Sequence, residues 1–274
     1  LSQLSDVAHI VCVASGKGGV GKSTTATNLA LALQASGFQV GLLDADIYGP
    51  SLPAMLGVPD GTRPKVIGQK EIEPIRAHGL ATASIGYLAD RETAMVWRAP
   101  MIVGAFQQIL TQTRWGKLDY LIVDLPPGTG DIQLSLSQQV KLTGAVIVTT
   151  PQDIALLDAE KAVRMFEKVN VPILGVIENM SLHVCSECGH ESHIFGEGGG
   201  EQLARRYGAD VIGQLPLDVS IRHQGDAGVP VVLAAPDSHA ARCYMAAATG
   251  LVEQVNASAS TQSQGGPTLH ISDD

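Results

Sequence analysis

The chain has 274 residues, of which 45% are hydrophobic and only 4% aromatic, so it can fill one large domain with an aliphatic, alanine-rich core. Its charge, 18 basic against 27 acidic residues or −9, excludes a non-specific nucleic-acid binder, which needs clustered Lys and Arg. No stretch approaches the roughly 18 uncharged apolar residues of a membrane span, the first residues carry no secretory-signal pattern, and four cysteines make no disulfide scaffold. No nucleic-acid partner, no membrane partner and a cytoplasmic location are therefore expected.

The first element is an apolar run over 10–14 that feeds a glycine-rich loop, GKGGVGKST at 16–24, and then a helical pattern around Leu29, Leu31 and Leu33. Gly16, Gly21, Lys22 and Ser23 match G-x-x-x-x-G-K-S/T, the loop that wraps its backbone N–H groups around nucleotide phosphates. The loop residues Gly16, Lys17, Gly18, Gly19, Val20, Gly21, Lys22, Ser23 and Thr24 are the candidate nucleotide contacts. Lys22 is expected to reach the β- and γ-phosphates, and the Ser23 hydroxyl to sit on Mg²⁺. Lys17 is a second lysine that a phosphate loop does not need. It is either a solvated charge or a cation that reaches a neighbouring subunit's nucleotide, as an arginine finger does in trans.

A second apolar run, 39–43, ends in Asp44 and Asp46. Acids at a strand's carboxyl end border the ligand crevice of an open α/β sheet. Asp46 is expected to orient the attacking water and Asp44 to hold Mg²⁺ through water; the alternative is an ordinary turn. The loop 47–51 is expected to move with nucleotide. Residues 57–78 read as an irregular insertion or hairpin, 79–88 as a strand, and the segment after Trp97 and Arg98 as a helix through Leu110, with those two side chains either facing a partner or simply packed.

The run 118–124 has the pattern of a buried strand ending in Asp124, which is expected to hold Mg²⁺ through its water shell. The loop DLPPGTGD at 124–131 stands where a γ-phosphate sensor belongs, with a backbone N–H from Gly128. Strands at 144–150 and 173–177 flank a helix at 153–169. Asn179 follows, either a base-reading amide or a turn residue. A helix to Tyr207, a strand at 211–215, a loop and helix from Pro216 and a closing helix at 239–255 complete the alternation. The order predicts an α/β fold with a doubly wound, mostly parallel sheet, a single domain over 1–255, and a disordered polar tail over 256–274.

Cys185 and Cys188 form a C-x-x-C turn within a metal loop near 181–195. A tetrahedral sulfur site wants four ligands, so one chain supplies half a site. His183, His190 and His193 are close enough in sequence to complete a zinc site instead. Cys12 is expected inside the first strand and Cys243 in the core of the closing helix.

Taken together, GKGGVGKST, LDADIYGPS at 43–51, DLPPGTGD and ENM followed by CSECGH resemble the Mrp/ApbC family of iron–sulfur cluster carriers, over residues 9–255. These are P-loop NTPases of the deviant Walker A type. The resemblance implies a homodimer that binds ATP with Mg²⁺, hydrolyses it slowly, and carries a [4Fe–4S] cluster to apo iron–sulfur proteins. It implies nucleotide roles for Lys17 and Lys22, switch and magnesium roles for Asp46 and Asp124, and cluster ligation by Cys185 and Cys188, with the cluster bridging two subunits. Many bacterial members carry an additional N-terminal domain that is not found among these residues, and Ala99 stands where relatives often have Gly. The other function class is a partition or positioning ATPase, a nucleotide-switched scaffold, which has no use for the C-x-x-C pair.

Overall fold

A computed structural model describes residues 2–46, 49–68, 70–88, 99–185 and 187–264. In chain order its elements are β1 (Val7–Ala14), α1 (Lys22–Ala35), β2 (Val40–Asp44), α2 (Leu52–Met55), β3 (Val66–Ile67), β4 (Glu71–Ile72), β5 (Ile75–Ala77) and β6 (Leu80–Ser84). There follow α3 (Ala99–Gln112), β7 (Leu118–Asp124), α4 (Asp131–Gln139), β8 (Gly144–Thr149), α5 (Asp153–Lys168) and β9 (Ile173–Glu178). The chain closes with β10 (His183–Val184), β11 (Glu191–Ser192), α6 (Gly199–Tyr207), β12 (Val211–Gln214), α7 (Val219–Asp226), α8 (Val231–Ala234) and α9 (His239–Gln264).

Eight strands form one sheet in the order β12-β9-β8-β1-β7-β2-β6-β5. Every pairing is parallel except that of β5 with β6 at the edge. Because side chains alternate across a strand, each strand feeds two cores. Ile10, Cys12 and Ala14 of β1 pack on one face with Phe106 of α3, Leu136 of α4 and Phe166 of α5. Val11 and Val13 pack on the other with Leu29 of α1, Val231 of α8 and Tyr244 of α9. Helix α1 is buried from Thr25 through Leu33, which explains its nearly unbroken apolar and small composition: it has no wet face to decorate.

The order places β1 between β7 and β8, so the chain leaves β1, skips β7 and continues in β2. Such a switch in strand order opens a crevice at the carboxyl ends, and the phosphate loop emerges there.

The structure departs from the sequence expectations at several places. The segment after DLPPGTGD forms α4, a helix missed because only Ile132 and Leu136 of its apolar residues are buried and Ser and Gln fill the rest. Of the two readings of 57–78, the hairpin holds: β3 and β4 pair antiparallel, and β5 follows as an addition to the main sheet. The expected strand at 79–88 ends at Ser84, whose hydroxyl caps a 3₁₀ turn. The closing helix continues to Gln264, so the segment from Asn256 begins as helix rather than as a disordered tail. Ile47 and Tyr48 of the loop expected to move, Trp97, Arg98, Ser186 of the cysteine turn and residues 265–274 lie outside the described residues.

Candidate nucleotide site and cysteine turn

The phosphate loop is held from three sides. Gly16 lies against α5 so closely that a Cβ there would fall 2.0 Å from the Asp158 carbonyl, which excludes any side chain. Gly21, at φ +80°, adopts a left-handed backbone that glycine reaches without strain, and a Cβ there would meet Asn179 Nδ2 at 2.2 Å. The Asn179 amide donates to Val20 O at 2.9 Å, its Oδ1 accepts from Met180 N, and its own N–H donates to Thr149 O. Asn179 therefore braces the loop from the strand beside it. The Ser15 hydroxyl donates to Lys17 O at 2.9 Å. The N–H of Gly128 donates to Ser15 O at 2.8 Å, which ties the expected sensor loop to the phosphate loop. Gln133, overlooked in the sequence, braces the sensor loop by donating to Pro126 O and Gly128 O.

Lys22 opens α1, with Gly21 preceding it and no side chain capping the free N–H groups of the first turn. Its Nζ lies 2.6 Å from Asp124 Oδ1, 3.8 Å from Asp46 Oδ2 and 3.2 Å from Ser23 Oγ. The lysine side chain is only 6% exposed. The Lys22 ammonium thus donates to both the Ser23 hydroxyl and the Asp124 carboxylate. Asp44 and Asp124 are paired in register at the ends of β2 and β7, which sets two buried carboxylates side by side. Burial, then Asp124, push the Asp44 carboxyl up to about 7, against the lowering effect of its hydrogen bonds and Lys22. Burial also raises Asp124, opposed chiefly by Lys22. Two carboxylates, Asp124 and Asp46, thus flank one ammonium, with the buried Asp44 carboxyl beside Asp124.

Asp44 is fully buried. Its Oδ1 accepts from Asp46 N at 3.0 Å, and its Oδ2 from Leu52 N at 3.2 Å and Ser84 Oγ at 3.0 Å. Those contacts make it the anchor of the loop that carries Asp46. Ser84, the residue that completes this anchor, has no motif to mark it in the sequence.

The cysteine turn stands at the tip of the antiparallel pair β10–β11, 183–192. Cys185 N donates to His190 O and Gly189 N to Cys185 O, each at 2.9 Å. Cys185 is half-buried and Cys188 exposed. Backbone N–H groups of Cys188 and Glu187 hold the Cys185 thiol below its ordinary range, because they stabilise the thiolate that a metal needs. His183 Nδ1 is tied to Leu217 O and His193 Nδ1 to Ser181 O. Among the described residues no three His, Cys, Asp or Glu side chains gather as a metal site, so the histidine-completed zinc site is not preformed. Cys12 is buried in β1 as expected. Cys243 lies at the edge of the core rather than inside it: it is half-buried, packs against the core cluster and lies 3.6 Å from His239.

A P-loop running from the central strand into a buried helix, with paired acids on the neighbouring strands, defines a P-loop NTPase. The family model described as ParA, NUBPL iron-transfer P-loop NTPase, matches residues 6–252. The iron–sulfur cluster carrier protein of Pseudomonas fragi is 60% identical over 241 residues, 88% of this chain and 84% of its own length. That of Escherichia coli is 55% identical over 252 residues, 92% of this chain and 68% of its own. A solved nucleotide-binding protein from Archaeoglobus fulgidus, in complex with ADP, superposes with a TM-score of 0.71 at 37% identity, covering 83% of this chain and 89% of that one. The chain belongs to the NUBPL-type iron-transfer P-loop NTPases of the ParA group.

Proposed function

We propose that this chain is an iron–sulfur cluster carrier: as a homodimer it binds and slowly hydrolyses ATP, and it passes a [4Fe–4S] cluster to apo-proteins in the cytoplasm. The observation that carries this reading is the Cys185–Cys188 turn, with one thiol biased toward thiolate and its partner open to solvent, on a chain whose relatives are cluster carriers. One such turn supplies two thiolates, and a four-thiolate cluster needs two turns. A two-fold axis brings like to like, so a second copy supplies the missing pair.

At the nucleotide end, Lys22 exchanges Asp124 for the β- and γ-phosphates when nucleotide enters. The hydroxyl of Ser23 and the carboxylate of Asp124, hard oxygen donors that both meet the Lys22 ammonium, are the residues that fit Mg²⁺. When bound, that ion neutralises phosphate charge. Asp46, largely buried beside Lys22, orients the water, and its loop is held in place by Asp44. Lys17 serves the partner's nucleotide.

The test is transfer. The chain loaded with iron and sulfide under anaerobic conditions is mixed with an apo-enzyme that requires a [4Fe–4S] cluster, and recovery of that enzyme's activity is followed. Recovery that disappears with Cys188→Ser is expected; equal recovery from free iron and sulfide alone would remove the carrier role.

A further inference from the structure

Asp46 lies two residues past the end of β2, on a loop that runs to α2. The main chain ties that loop down at Ala45, whose N–H donates to Asp124 O at 2.9 Å. From Asp46 onward the loop is held by the Asp44 side chain, and that side chain is held from β6. Asp44 and Ser84 are paired in register on β2 and β6, so their side chains share one face of the sheet. Both are buried, and Ser84 Oγ lies 3.0 Å from Asp44 Oδ2. A hydroxyl has one hydrogen to give. The N–H of Gly86 donates to the Ser84 oxygen at 3.0 Å, which leaves that hydrogen for the Asp44 carboxylate.

The carboxylate then grips both flanks of the loop. Its Oδ1 accepts from Asp46 N at 3.0 Å, and its Oδ2 from Leu52 N at 3.2 Å. The 3₁₀ turn that follows Ser84 supports the same loop from below: a Cβ on Gly86 would stand 3.2 Å from Pro50 Cβ and from Pro53 Cγ. At the end of this chain of contacts, Asp46 Oδ2 stands 3.8 Å from Lys22 Nζ, with its side chain 14% exposed.

We propose that Ser84 is a positioning residue for ATP hydrolysis, acting through Asp44 on the placement of Asp46. The inference rests on the reading of Asp46 as the group that orients the attacking water. The terminal torsion of an aspartate is broad, so hydrogen bonds rather than a rotamer well set the plane of its carboxylate. Without the hydroxyl, Oδ2 of Asp44 keeps only the longer contact to Leu52 N, and the plane that holds Asp46 N loses its second support. Reaction rates are steep in such placement: a shift of about 1 Å from a change remote from the chemistry costs about 10²-fold. Affinity is not affected in the same way. The partners of the Ser84 hydroxyl are Asp44 and Gly86, both outside the phosphate loop at 16–24 that carries nucleotide binding.

The experiment compares the full chain with its Ser84→Ala variant. Amide hydrogen exchange reads the placement itself: the Asp46 and Leu52 amides, both held by Asp44, should exchange at least tenfold faster in the variant, while those of β1 and α1 keep the parent's protection. Single-turnover ATP hydrolysis, which separates chemistry from product release, should slow at least tenfold. The dissociation constants for ATP and ADP should stay within threefold of the parent. Asp46→Ala is measured alongside. If it hydrolyses ATP at the parent's rate, the water-orienting reading fails and takes the inference with it. If Asp46→Ala is slow while Ser84→Ala keeps the parent's rate, or slows without faster exchange at Asp46, the positioning role alone is overturned. A loss of protection throughout the sheet together with lost nucleotide binding overturns it too, because Ser84 would then serve only the fold.

Discussion

Asn179, one residue beyond β9, donates its side-chain amide to the carbonyl of Val20 inside the phosphate loop, 159 positions away in sequence. Replacing it with Ala leaves a buried carbonyl without its donor, a cost of about 1–3 kcal/mol borne by the loop. Asn179→Ala should therefore weaken ATP and GTP binding alike, by about tenfold or more. Fluorescence titration with both nucleotides checks this. A loss confined to ATP would instead give Asn179 a base-reading role.

Lys22 pairs with Asp124 at 2.6 Å, almost out of water. Lys22→Ala should thus do more than weaken nucleotide binding. It leaves a buried carboxylate unpaired, and breaking such a pair costs about 3–5 kcal/mol. Denaturant unfolding of the nucleotide-free protein should show that loss, and Asp124→Asn in the same chain should restore part of it. Equal stability of Lys22→Ala and the parent would mean that Asp124 is neutral in the resting state.

Asp44 gives a pH dependence of determinate sign. Its carboxyl is raised from 3.8 to about 7 in the folded chain by burial beside Asp124. Between those values the folded state holds a proton that the unfolded state has released, so stability falls as pH rises across that window. In metal-free, nucleotide-free buffer the melting temperature of the parent should fall from pH 5 to pH 7.5 more steeply than that of Asp44→Asn. Parallel curves for the two proteins would show that Asp44 does not titrate there.

Much of this site was legible from the chain alone. GKGGVGKST between an apolar run and a helical pattern fixes the strand, loop and helix, and a carboxylate at the end of a buried strand announces Asp124. The C-x-x-C turn is equally local. What the sequence could not carry is contact over distance. Asn179 reaches Val20, Ser84 reaches Asp44 and Gly128 reaches Ser15 only after the sheet has assembled. Cys243 reads as a core residue because alanines surround it, yet its place on α9 leaves it half-buried at the core's edge beside His239. Helix α4 was hidden for a related reason: only two of its side chains carry the apolar period, and the Gly-Pro loop before it dominates the local signal.

Lys17 is half-buried in the loop, where Lys22 already serves the chain's own phosphates. Lys17→Ala should reduce hydrolysis far more than nucleotide binding, by about 10³-fold if it acts as a finger in trans. Mixing Lys17→Ala with Asp46→Ala protein should recover part of the activity, because a mixed dimer holds one intact site. Turnover strictly first order in protein, from a chain that stays monomeric with ATP, would exclude the trans role.

The central claim, a cluster shared between two cysteine turns, is tested most directly by counting. After anaerobic reconstitution and removal of loosely held metal, iron and acid-labile sulfide are measured together against protein, since a mononuclear ion brings no sulfide. About four iron and four sulfide per two chains are predicted, lost with Cys185→Ser or Cys188→Ser and retained with Cys12→Ser or Cys243→Ser. Four iron and four sulfide on each single chain, or a sulfide-free zinc ion held by Cys185 and Cys188 of one chain, would contradict it.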